Sequence, residues 1–307
     1  MSITPSVAID NVKKTSIPIS TGKTLYVGGS GPGNYTTIQD AIDNASDWDT
    51  VFVFDDSSPY YENIIVDKSI NLIGEDRNST VIDGNDTGDV VKIINNWVTV
   101  RDFTIENSGY EDFGAGVSIN SNYNTIKGNI LNNNCIGVYI SVYNSNFIIA
   151  NNISNNIHGI ISNYSNFNII VSNTINSNTF FGIELEFCNH NTIKGNNISN
   201  NLDGICIGYS KFNIIKSNNI NFNKEWGIFF GLSFFNIIIK NNFLNNDVDA
   251  FFWNSFRNRW IQNYWNKPLR LPKYIFGGMG VSTNYSPYIF FPWFQFDWFP
   301  ASEPYDI

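Results

Sequence analysis

Charge is scarce in this sequence. Lys, Arg, Asp and Glu make up only 15% of the 307 residues, and their balance is acidic, with a formal net charge of −9. None of the 18 Lys and Arg residues gather into a basic stripe. A phosphate backbone therefore finds no counter-surface, which excludes nucleic acid as a partner. Cysteine is nearly absent. Cys135, Cys188 and Cys206 are odd in number and follow no CxxC spacing, so buried or half-buried free thiols are expected instead of a disulfide framework. Two His (His158, His190) and two Met (Met1, Met279) complete the soft and imidazole donors. By spacing they form no ligand cluster with the cysteines, and no metal or cofactor is expected. No apolar run approaches the ~20 residues that a membrane-spanning helix needs. Residues 1–24 lack an apolar h-region and a small-residue cleavage pattern, so no secretory signal is read in this sequence.

What remains is apolar residues at 42%, aromatics at 16%, and Asn in runs such as Asn132-Asn133-Asn134. The Asn residues alternate with Ile, Val and Phe at fixed spacing. A segment N-x-I-x-x-N-x-I starts at Asn124, Asn146, Asn168, Asn191, Asn213 and Asn236, with a looser copy at Asn258, in steps of 22 or 23 residues. A second column, G-[VI]-x-[IL], begins at Gly116, Gly137, Gly159, Gly182, Gly204 and Gly227. The period is too short for two helices, and the Ile-rich alternation is strand chemistry. Each repeat supplies about three short strands, and coiling pairs each with its own copy about 4.8 Å above and below. The fold class read from this is all-β, a right-handed single-stranded parallel β-helix. Asn129, Asn151, Asn173, Asn196, Asn218 and Asn241 fall where the chain bends between strands. There Asn tolerates left-handed geometry and its amide can bond the stacked Asn of the next turn, giving a structural ladder. The Gly column marks a second bend that leaves no room for a Cβ.

An open coil must cover its two ends. Ile38, Ala41, Ile42 and Ala45 stand at helical spacing and predict a short N-terminal capping helix. After Trp265, Pro268, Pro272, Pro287, Pro292, Pro300 and Pro304 interrupt a segment dense in Phe and Trp, which predicts an irregular tail folded over the last rung or docking another subunit or a lipid surface. The domain reading is an extension at 1–23, a β-helix at 24–266 with its N-terminal cap at 24–50 and regular repeats from about 90 to 265, and an aromatic, Pro-rich tail at 267–307.

These residues resemble a known family. Tyr35-Thr36-Thr37-Ile38-Gln39-Asp40-Ala41-Ile42, Tyr61-Glu62-Asn63-Ile64, Ser69-Ile70-Asn71-Leu72-Ile73-Gly74-Glu75, the N-x-I-x-x-N-x-I repeats and Asn263-Tyr264-Trp265 are similar to the right-handed β-helix proteins of the pectin-lyase-like superfamily, and in particular to the archaeal and bacterial NosD-like group. The resemblance covers roughly residues 24–266. It implies the fold, but the superfamily holds lyases, hydrolases, esterases, copper-site accessory proteins and surface proteins. NosD-like proteins are exported and tied to copper-site maturation, which would need donors this chain does not cluster.

Superfamily enzymes carry acidic and basic side chains on the outer face of one sheet, over a groove for a sugar chain. Counting from each Gly, the outward column here is Tyr139, Ile161, Glu184, Cys206 and Phe229, with Glu186 on the same face and Asp203 one turn on. Glu184, Glu186 and Asp203 are the candidate catalytic carboxylates, and Tyr139, Trp226 and Phe229 the candidate rings for stacking on sugar. A solvated face with incidental acids explains the same residues. Lys127, Lys194 and Lys216 read as solubilising strand residues, and Asp86, Asp89, Asp247 and Asp249 as loop polarity. Sequons at Asn34, Asn78, Asn85, Asn152, Asn163, Asn197 and Asn284 lean toward an extracellular or cell-surface location. The functional expectation is a non-catalytic exported scaffold or adhesion protein, monomeric or self-associating through its aromatic tail, with polysaccharide or surface proteins as partners. The alternatives are a carbohydrate-active or glycan-binding protein and a NosD-like copper-site accessory protein.

Overall fold

A short Ile-rich strand has two unsatisfied edges, and only stacking on its own copies satisfies both. The computed structural model describes residues 22–111, 113–269, 271–283 and 286–307, so nearly all of the expected extension at 1–23 lies outside the described residues. The chain is a parallel β-helix. A regular rung holds three strands, for example Phe181–Glu186, Thr192–Lys194 and Asn197–Ser199. Their stacked copies form a long-strand face, a second face and a third face. On the second face Ile193 pairs with Ile170 on one side and Ile215 on the other, and all three are fully buried. Such columns of Ile fill the interior, each side chain gaining about 2 kcal/mol from burial.

The coil begins earlier than the repeat is legible. Thr24–Val27 already pairs in parallel with Thr50–Val53. The early rungs are longer: the Val98 N–H reaches Asn124, 26 residues on, where later rungs repeat at 22 or 23.

Amide groups line the corners. In the ladder expected from the sequence, Asn196 Nδ2 donates to Asn218 Oδ1 at 2.9 Å and to the Ile170 carbonyl at 3.0 Å, while its backbone N–H donates to the same Oδ1 at 3.0 Å. The structure adds two further ladders. One runs through Asn124, Asn146, Asn168, Asn191, Asn213, Asn236 and Asn258. The other runs through Asn134, Asn156, Asn178, Asn201, Asn223 and Asn246. A hydroxyl and thiol column, Cys188, Ser210, Ser233 and Ser255, is bonded in the same way. The left-handed geometry falls on the residue before each ladder Asn: Ser172, Gly195, Ser217 and Lys240 have positive φ, and Asn173, Asn196, Asn218 and Asn241 do not. The ladder Asn keeps its amide inward, and the strained turn is left to its neighbour.

The glycine column lies inside the long strands at a kink. The ladder pairs Phe181 with Asp203 and Ile183 with Ile205 but omits Gly182 and Gly204. A Cβ on Gly204 would stand 2.5 Å from the Gly227 carbonyl oxygen and 2.9 Å from Asn223 Nδ2. No side chain fits there.

Both ends are closed. The helix Ile38–Asn44 buries Ile38, Ala41 and Ile42 over the first rungs. Its first amides, Ile38 N–H and Gln39 N–H, donate to the Glu62 carboxylate at 2.8 and 2.9 Å, a favourable charge at a helix start. At the other end the tail is not irregular as expected. Lys273–Thr283 and Ser286–Asp297 form an antiparallel hairpin. Pro292 is accommodated because that strand pairs with the coil only at its end, Asp297 opposite Trp260, so a missing N–H breaks no inner ladder. The first strand joins the long-strand face through Gly277 and Gly278, and residues 301–307 return along the third face, where Asn242 exchanges two hydrogen bonds with Tyr305.

Candidate functional site

On a coil whose inside is filled, any site must be built from side chains that point outward. The outward column of the long-strand face runs Lys92, Ser118, Tyr139, Ile161, Glu184, Cys206, Phe229 and Phe251 in direct register. A groove of about 520 Å³ crosses its first five members, flanked by Asp89, Phe113, Asn120, Ile136 and Asn163. Lys92 Nζ lies 3.9 Å from Asp89 at one end, and Glu184 closes the other. The Oδ1 of Asn163 is buried in the groove wall without a hydrogen-bond partner among the described residues.

Of the residues expected from the sequence, Tyr139 and Glu184 meet in this groove. Glu186 stands two residues along the same strand, and Asp203 one rung on, its carboxylate accepting the Trp226 N–H at 3.1 Å. Trp226 and Phe229 lie outside the groove lining. Their rings stack on each other at 4.7 Å and on Phe251 at about 6 Å. In the sequence Asp89 and Asn163 read as loop polarity and a sequon, and Lys92 is not singled out; the fold brings all three to the groove. Register counted back through the longer early rungs would have placed Lys92 under Ser118, but neither repeat motif extends there.

Burial sets the electrostatics. It pushes Glu184 up to about 7, helped by the charge of Glu186, and Asp203 up to about 6, against the pull of the Trp226 N–H. The Cys206 thiol, pushed up by burial and by the carboxylates of Glu184, Asp203 and Glu186, is a poor nucleophile. Because native Glu184 holds its proton up to about pH 7 and the unfolded residue only to about 4.5, the folded state binds more protons between those values. Stability therefore falls as pH rises through that window. Glu184→Gln is expected to flatten that part of a urea-midpoint against pH profile, and an unchanged slope would show that the group titrates normally.

The soft and imidazole donors are dispersed. His158 is wedged against Phe180 and Phe181 at 5.3 and 5.4 Å, and burial lowers its pKa. His190 is sandwiched between Phe167 and Phe212 at 5.1 and 5.2 Å. Cys135 and Cys188 are buried free thiols. Among the described residues no group of three or more His, Cys, Asp or Glu could hold a metal ion.

A family model described as "Periplasmic copper-binding protein (NosD)" matches residues 42–285. The chain belongs to the NosD family. The copper of that description does not fit the residues this NosD-family chain presents, because its imidazoles are packed against phenyl rings and its three thiols, two of them buried, stand in no cluster with them among the described residues. No curated protein matches the sequence. Solved structures share the fold. Pectate lyase Pel9A is 13% identical with a TM-score of 0.57, covering 80% of this chain and 78% of its own. The periplasmic alginate epimerase AlgG is 17% identical with a TM-score of 0.55, covering 77% and 62%. ORF18 of Geobacillus virus E2 is 14% identical with a TM-score of 0.54, covering 79% and 56%. This chain thus spans less than two thirds of the epimerase and of the viral protein.

Proposed function

We propose that this NosD-family chain is an exported, non-catalytic β-helix that holds a neutral polysaccharide strand in the groove between Lys92 and Glu184. The groove carries the reading: it is long, shallow and lined by two rings, Tyr139 and Phe113, and by amide, hydroxyl and apolar groups, the mixture that binds sugar hydroxyls and ring faces. Its charges cancel. Lys92 is paired with Asp89, and Glu184 is half protonated near neutrality, so a polyanion gains no free cation. The pectate lyase and alginate epimerase of the same fold are named for polysaccharides, which supports the substrate class without fixing the sugar. A non-catalytic role is supported by the surroundings of Glu184, whose column neighbours are Ile161 and a Cys206 thiol of raised pKa. Export is supported by the periplasmic description of the family.

The test is a glycan array followed by calorimetric titration of the best neutral oligosaccharide. Tyr139→Ala is expected to weaken binding by about tenfold, the loss of one stacked ring, with no reducing sugar released by the unaltered chain. Binding only to acidic glycans, or none, would overturn the reading. A second reading, hydrolysis, is favoured by one observation, a carboxyl near 7 beside a second carboxylate, Glu186. Sugar release that Glu184→Gln abolishes would establish it.

A further inference from the structure

The hairpin that ends the coil does more than cover it. Its first strand is held by the last rung from Gly277 to Gly280, opposite Trp293 and Phe291, and its second only near the base. The first strand pairs through Gly277 and Gly278, with Gly280 N–H bonded to Asn254 Oδ1 at 2.8 Å. The second is held by Asp297 opposite Trp260 and by Gln295 Nε2 on the Ser255 carbonyl at 2.8 Å. Beyond these points the described residues of the two strands pair only with each other. Alternation along the second strand sends Phe291 and Trp293 to one side of this ribbon and Phe294 and Phe296 to the other. All four are exposed. Residues 274–296 contain no Asp, Glu, Lys or Arg, the reverse of the charged edges that keep soluble sheets apart. Around the base Arg257, Arg259 and Lys267 are exposed; residues 240–273 hold six Lys and Arg against two acids, Asp247 and Asp249, and the returning segment 298–307 adds Glu303 and Asp306.

We propose that this ribbon docks the chain on the surface of an anionic lipid bilayer. A second protein copy would cover one side of a two-sided aromatic ribbon and leave the other in water. The interfacial zone of a bilayer wets both sides. Trp and Phe rings favour that zone, and exposed Arg and Lys at the base complement anionic head groups within a Debye length.

Flotation of the full chain with vesicles of phosphatidylcholine alone, and of phosphatidylcholine mixed with phosphatidylglycerol, tests this. The unaltered chain is expected to float with the mixed vesicles, and Trp293→Ser/Phe294→Ser to lose about tenfold or more of that binding while keeping its thermal midpoint. Arg257→Glu/Arg259→Glu, which leaves the ribbon intact, is expected to weaken binding to the mixed vesicles by about tenfold, with no change on neutral ones. The proposal fails if the unaltered chain stays unbound to the mixed vesicles, or if neither variant changes its binding. A concentration-dependent dimer abolished by Trp293→Ser/Phe294→Ser, without vesicle binding, assigns the ribbon to a second copy instead.

Discussion

Replacing Asn196 by Ala is expected to cost about 3 to 5 kcal/mol, whereas Asn197→Ala, one residue away, is expected to cost less than about 0.5 kcal/mol. The two side chains share composition and sequence neighbourhood but not environment. Asn196 is fully buried and Asn197 is exposed. Without the Asn196 amide, the backbone N–H and Nδ2 of Asn173 lose their acceptor, and the Ile170 carbonyl and Asn218 Oδ1 lose a donor. These are buried groups that water cannot reach, so most of their desolvation cost stands uncompensated. Because rungs touch only their neighbours, the damage is local, and the coil is expected to part at that rung before either half unfolds. Hydrogen exchange read rung by rung, together with urea denaturation, checks both statements. Equal midpoints for the two variants would show that the ladder contributes little.

The second large effect is expected at Asp297. This buried carboxylate terminates the middle Asn ladder, accepting from Asn263 N–H at 2.8 Å, Gln262 N–H at 3.1 Å, Asn263 Nδ2 at 3.1 Å and Trp265 Nε1 at 3.2 Å. Asp297→Ala strands four donors and releases the base of the hairpin from the last rung. Its cost is expected to be about 4 kcal/mol, accompanied by dye-binding apolar surface as Trp260 and Trp265 come uncovered. Asp297→Asn keeps one acceptor oxygen and is expected to lose roughly half as much. If Asp297→Ala leaves both the melting midpoint and dye binding unchanged, the hairpin does not close the coil.

Regular rungs are legible in the sequence because stacking forces like residues into like positions: Ile193 over Ile215 and Asn196 over Asn218 follow from the period alone. The same logic placed Glu184 and Tyr139 on one outward column. It failed where the period changes. Lys92 and Asp89 belong to longer rungs, and their place beside Tyr139 depends on register through loops of unequal length. The hairpin was obscured for another reason. Its Pro residues speak against an inner strand, and nothing local reveals that a strand sits at the end of a sheet. The left-handed corners were assigned to Asn because Asn favours that geometry. In the fold, burial of the amide outweighs the preference, and Ser172, Ser217 and Lys240 take the turn.

Uniform rungs also make distance along the rod a counted quantity. From Glu184 the outward column passes Cys206, Phe229 and Phe251 before reaching the hairpin, four strand spacings or about 19 Å. Insertion or loss of one whole repeat changes that span by a single step without disturbing any interior contact on either side. The groove and the terminal ribbon therefore lie a counted number of steps apart, like marks on a ruler, and that separation can be altered by duplication of a repeat with no redesign of either.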